Sequence, residues 1–83
     1  MILHIVCPSY NKKMKITWLE LNTDIGNFVI QSGHAPTVLI LSQHKKVTYC
    51  LTTGKQESLE IKEGIVHIER TQATMIISES SHK

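Results

Sequence analysis

The side chains of this 83-residue chain that could do chemistry are five histidines, two cysteines and sixteen lysine, arginine, aspartate and glutamate residues. A metal centre needs imidazoles or thiolates spaced so that two share one local surface. Of His4, His34, His44, His67 and His82, the nearest two are ten positions apart, and no acidic ligand recurs beside them. Metal is therefore not expected, short of a site gathered from distant strands. Cys7 and Cys50 lie outside any C-x-x-C pair, which argues against zinc-ribbon and thioredoxin chemistry. They read as reduced, partly buried thiols acting as small hydrophobes, a usage that suits a cytoplasmic compartment. A serine nucleophile elbow would require G-x-S-x-G, which does not occur. Gly54-Lys55 is followed by Gln56 and lacks the upstream glycine of a phosphate loop, so it reads as a hairpin turn. Glu57, Glu60, Glu63 and Glu69 fall on polar faces or turns, where carboxylates are solvated. No cofactor is indicated.

Binding chemistry fares slightly better. Lys12, Lys13 and Lys15 lie close to Tyr10 and Trp18, and small β-barrels bind single strands with basic grooves and stacking aromatics. A nucleic-acid-binding module is therefore the alternative reading. Against it stand a net charge of only +2 and four aromatic residues in all. Trp18 also sits inside an apolar strand, where a core role is expected. The stretch GNFVIQSGHAP, positions 26–36, is the other unusual feature. Pro36 restricts Ala35 to extended backbone, and Gly33 permits an unusual dihedral just before the imidazole of His34. That segment is either a stiff structural corner or a displayed contact; the two are compatible.

The elements that must position these residues are strands. Leu59 and Ile61 alternate with polar neighbours, as do Val66 and Ile68, with Glu63-Gly64 between them as a tight connection. Positions 37–42, TVLILS, read as a fully buried strand. Positions 46–52 form another, ending at Thr53-Gly54-Lys55. Runs at 2–7, 14–21, 28–30 and 73–78 complete the set, with a polar loop at 8–13 and no amphipathic helix. The expectation is an all-β, antiparallel β-sandwich of about eight to ten short strands in two sheets. Residues 1–79 would form one domain and 80–83 a frayed polar tail. The start of the chain lacks a basic n-region and a cleavage site, and no run of about 18 apolar residues occurs that could span a membrane as a helix.

Positions 26–36 resemble the signature of the epsilon subunit of F-type ATP synthases, in which two strands flank a glycine-spaced apolar run ending in His-Ala-Pro. Gly26, Phe28, Ile30, Gly33, His34, Ala35 and Pro36 fit it. Positions 63–79 are similar to a second family block, and the opening strand ending in Cys7-Pro8 agrees with the family's layout. Val29 stands where the family usually has glycine, which implies ordinary strand backbone there. Ser32 replaces the usual proline, a loss of preorganisation worth about 0.4–1 kcal/mol. Gln31 and Glu63 depart as well.

The resemblance implies a non-catalytic rotor part that binds the gamma subunit of the central stalk and the loops of the c-ring. It would bind no nucleic acid and reach the membrane only through the complex, on the cytoplasmic face of a bacterial inner membrane. Asn27 and His34 are then the polar contacts of a corner facing the c-ring, shaped by Gly26, Gly33, Ala35 and Pro36. Many family members carry an additional helical hairpin that senses ATP. This sequence leaves no room for it, so a short or truncated form without an ATP response is expected. The partner surface should show as an exposed apolar patch.

Overall fold

The computed structural model describes residues 1–78 and 80–82, with side chains at 1–41 and 45–78. Its elements are β1 (Ile2–Cys7), β2 (Tyr10–Thr23), β3 (Gly26–Ile30), β4 (Thr37–Leu51), β5 (Gln56–Ile68), β6 (Gln72–Ile77) and β7 (Ser80–His82). The all-β expectation holds, but as seven strands with three long ones. Glu63-Gly64 is not a turn: β5 runs straight through it. The two strands expected at 37–42 and 46–52 are one strand, β4, whose register shifts between Ser42 and Lys45. That shift bends the strand so that it serves both halves of the molecule, as bulges do. His44, between the two expected strands, has its backbone in β4, and its side chain lies outside the described residues. Tyr10 to Lys13, expected in a loop, extend β2 and pair with β1. The expected polar tail contributes β7, which pairs with β5 at Leu59–Ile61.

The sheet order is β1-β6-β5-β4-β2-β3, and β1 also pairs with β2, so five strands close on themselves as a flattened barrel. β1 and β6 run parallel, which makes the sheet mixed rather than wholly antiparallel. Period-two alternation fills the interior with Leu3, Ile5, Leu19, Leu21, Val47, Tyr49, Leu59, Ile61, Val66, Ile68 and Met75, all at most 1% exposed. In β2 a register shift between Ile16 and Trp18 keeps Ile16 and Leu19 both inward. Trp18 consequently faces out, half-buried over Cys50, instead of joining the core as the sequence suggested. Cys50 is buried and Cys7 half-buried, both as free thiols.

Short connections hold the strands in register. Pro8-Ser9 joins β1 to β2, and Asp24-Ile25 joins β2 to β3, where Gly26 takes a φ of 141°. Gly54, at φ 97°, completes the predicted turn between β4 and β5, with the Leu51 amide donating to Lys55 O at 2.8 Å. Gly64 is needed for space: a Cβ there would lie 2.8 Å from both Ile76 O and Ile77 Cγ2, where β6 pairs with β5.

Candidate docking surface

Two outer surfaces carry the residues of interest, and the strand register decides which. On β1, β6, β5 and β4 the buried neighbours Leu3, Ile5, Met75, Val66 and Leu41 turn the alternate side chains outward. Val6 then lies beside Ile76, Ile76 opposite Ile65, and Ile65 opposite Ile40. These make one apolar row across four strands, about 14 Å long at ~4.8 Å per strand spacing. Ile40 is 70% exposed, Val38 58%, Ile76 56% and Ile65 49%. The segment TVLILS is thus buried on one side only, against expectation, because nothing in the described chain covers the other.

A shallow hollow of about 400 Å³ runs along Ile40, Glu63, Ile65 and Ile76. A second, of about 310 Å³, continues from Val38 and Ile40 to Ile25 at the β2–β3 tip. Ile25 is 83% exposed. Its hairpin is fixed by Thr23 Oγ1 donating to Gly26 O at 2.9 Å and by Lys45 pairing with Asp24 at 2.8 Å. An apolar surface this continuous is the mark of a docking site.

The opposite face, on β3, β2, β4 and β5, is polar. Thr48 and Ser58 share a hydrogen bond at 3.2 Å, and Asn27 Nδ2 donates to Glu20 and to Asn22 Oδ1 at 3.2 and 2.8 Å. Trp18 and Val29 are its apolar exceptions, beside Glu20 and Gln31.

The predicted contact residues Asn27 and His34 share one edge of the molecule without forming a cluster. β3 pairs only with β2 among the described residues, so it is an edge strand. Asn27 is its second residue, and His34 lies beyond its far end. Between them the chain makes a turn in which the His34 amide donates to Gln31 O at 3.2 Å and Gly33 has a φ of 89°. A positive φ at the third position is the requirement of a type II turn, and Ser32 occupies the second position, where such turns favour proline. The Gly33 amide donates to Arg70 O at 2.7 Å, tying the corner to the β5–β6 turn. His34 Nδ1 bonds Ala35 O at 2.7 Å. A carbonyl only accepts, so Nδ1 is the donor, and the neutral ring's Nε2 is an acceptor. Val29 is ordinary strand, paired with Glu20, as its β-branch required.

A hydrogen-bonded pair of titratable groups joins β4 to β5. The Tyr49 hydroxyl donates to Glu57 Oε1 at 2.9 Å. Burial, followed by the Glu57 carboxylate, pushes the Tyr49 hydroxyl well above its ordinary 10.0. The hydrogen bond from Tyr49 in turn holds Glu57 below its ordinary 4.5, with help from Lys12 and Lys55. This pair caps the core, with Tyr10, Lys12 and Lys55 as its titratable neighbours. No three histidine, cysteine or acidic side chains gather around a possible metal among the described residues. No helix is long and apolar enough to cross a membrane.

No protein-family model matches the chain, and no curated protein does. Solved structures do match in fold. A chain of the Euglena gracilis mitochondrial ATP synthase (OSCP/F1/c-ring in rotational state 1) superposes with a TM-score of 0.87 at 18% identity. That likeness covers 96% of this chain and 51% of the Euglena one. A chain of the Tetrahymena thermophila mitochondrial ATP synthase central stalk and c-ring superposes with a TM-score of 0.82 at 12% identity. Here 98% of this chain and 65% of the other are covered. This chain therefore spans about half to two-thirds of the chains it resembles. At such identities the likeness shows a common fold.

Proposed function

We propose that this chain is the β-sandwich of an epsilon-type central-stalk subunit of a rotary F-type ATP synthase. In this reading it has no catalytic part; it is clamped between a gamma-type subunit and the c-ring and transmits rotation. The observation that carries the reading is the fold likeness, over 96% of this chain, to a chain of a rotary ATP synthase. The motif at 26–36 is compatible with it: Gly26 opens β3 at the β2–β3 tip, while Gly33, Ala35 and Pro36 follow its other end, so the expected single corner is two separate features. The apolar face of Val6, Ile76, Ile65 and Ile40 is the surface assigned to gamma. The edge from Asn27 to His34 is assigned to the polar loops of the c-ring. Its membrane association, at the cytoplasmic face of a bacterial inner membrane, would come only through the complex. A close-packed interior deforms little, which suits a part that must carry torque.

The test is co-expression with the gamma subunit of the same host, followed by affinity capture and gel filtration. A stable one-to-one complex is expected. Failure to co-purify, with salt-sensitive binding of a single-stranded oligonucleotide instead, would favour a nucleic-acid module centred on Tyr10 and Lys12. His34→Ala should leave the melting temperature unchanged, because the imidazole bonds only the adjacent Ala35 carbonyl. It should modestly weaken incorporation into the holoenzyme. A large loss of stability with normal incorporation would make His34 purely structural.

A further inference from the structure

We infer that the partner segment covering the apolar face is acidic along one border, presenting an apolar ridge to Ile76, Ile65 and Ile40 and carboxylates to Lys13, His4 and His67. This rests on the reading of that face as a docking surface and adds to it the chemistry of what docks. One step along the strands from the apolar row, the register aligns Lys13 opposite His4, His4 beside Thr74, and Thr74 opposite His67. Their buried neighbours Leu3, Ile5, Ala73, Met75, Val66 and Ile68 fix His4, Thr74 and His67 on the outer side, and Lys13, directly opposite His4, shares their face. The row spans β2, β1, β6 and β5, about 14 Å at ~4.8 Å per spacing, so it is as long as the apolar row beside it.

Its positive end is the β2 side. From β2, Lys13 faces His4, and Lys15 stands opposite Ile2 in the next row. From β6 the histidines meet only Thr74, which accepts from Gln72 Nε2 at 3.3 Å. From β4, His67 meets Val38. Along its own strand His4 lies between Ile2 and Val6, while His67 has Ile65 on one side and Glu69, the acidic position of this neighbourhood, on the other. The opposite border of the apolar row carries Glu63. Apolar contact alone sets no orientation, whereas a basic border against an acidic one steers encounter and fixes register. A partner with lysine or arginine over Lys13 would be repelled, which selects against wrong seating.

The experiment measures the complex with the gamma subunit of the same host at pH 7.5 and 6.0, in low and high salt, by surface-immobilised binding kinetics. A protonated imidazole adds a positive charge to this border, while partner carboxylates stay ionised at pH 6.0. Binding should therefore tighten about three- to tenfold at pH 6.0, and association should slow as salt rises. K13E should weaken binding at least tenfold in low salt with an unchanged melting temperature. H4Q/H67Q should abolish the tightening at pH 6.0, its affinities at the two pH values agreeing within about twofold. Weaker binding of the unmodified protein at pH 6.0 would overturn the inference, since the imidazoles would then be buried neutral against apolar surface. So would K13E binding as well as the unmodified protein. A complex that forms at neither pH would overturn the docking reading itself, a failure distinguishable from these two.

Discussion

Ser32 and Gly33 show how far single residues can be read. The sequence located the corner, and the positive φ predicted for Gly33 is present, at 89°. Gly33 has open space around a notional Cβ, so what it supplies is backbone freedom alone. Ser32 occupies the turn position at which proline fits. Ser32→Pro should therefore raise stability by about 0.4–1 kcal/mol, by restricting the unfolded chain. Urea denaturation would check this through a higher midpoint at unchanged slope. Tyr49 and Glu57 were legible only as separate residues, one in a strand and one on a polar edge. Their pairing follows from the β4–β5 register, which places them directly opposite. Since Glu57 titrates lower in the folded state, its contribution is present above its unfolded value of 4.5 and is lost as pH falls through the depressed one. Tyr49 titrates higher when folded, so its contribution is full below 10.0 and is lost as pH climbs beyond. Tyr49→Phe should cost about 1 kcal/mol at pH 7, a hydrogen bond to a partly solvated carboxylate. The gap between the two proteins should narrow as pH falls from 4.5 through the depressed value, where Glu57 takes up its proton. Thermal melts from pH 3 to 8 would show it; a gap constant over that range would mean that the hydroxyl does not hold Glu57.

At the scale of elements, local pattern fixed strand identity and failed at strand continuity. Alternation at 58–62 and 65–69 correctly assigned the inward side chains, yet Glu63-Gly64 between them was read as a turn. Glycine after a charged residue signals a turn in the chain's own neighbourhood, but here the demand came from β6, a different part of the sequence. Ile76 O and Ile77 crowd the position that a Cβ would fill. No local pattern carries that information. The same limit applies to β4, where polar residues near position 44 suggested a loop and the structure has a bent, continuous strand. Trp18 was misassigned because a register shift reverses the inward sense of alternate residues, and such shifts leave no mark in composition. Gly64→Ala tests the account. Its contacts include backbone atoms that cannot swing aside, so the substitution should destabilise by about 1–3 kcal/mol, the range of overpacking. A denaturant midpoint within error of the unmodified protein would show that β5 and β6 can separate at Gly64 at no cost.

On the scale of the whole molecule, the domain is a flattened body of 27 × 25 × 18 Å whose two broad faces differ in kind. One is laced with hydrogen bonds among Thr48, Ser58, Asn27 and Asn22; the other exposes a row of isoleucines. Composition could not have revealed this, because a hydrophobic fraction of 41% is ordinary and says nothing of which side a residue faces. The signal lay in TVLILS, too apolar for a strand with one wet face and read as doubly buried. Its apolar excess is a requirement of assembly if a partner covers Val38 and Ile40. Substituting exposed side chains touches no core packing, so I40K/I65K should alter stability by no more than about 0.5 kcal/mol. The same change places two ammonium groups in the centre of the row, where a partner would have to desolvate them, each unpaired. Capture of gamma should then fall by at least a hundredfold, while circular dichroism and melting temperature stay put. T48V/S58V, on the polar face, should bind gamma as the unmodified protein does. If both double variants bind alike, the isoleucine face is not where this domain is gripped, and the asymmetry of its two faces needs another cause.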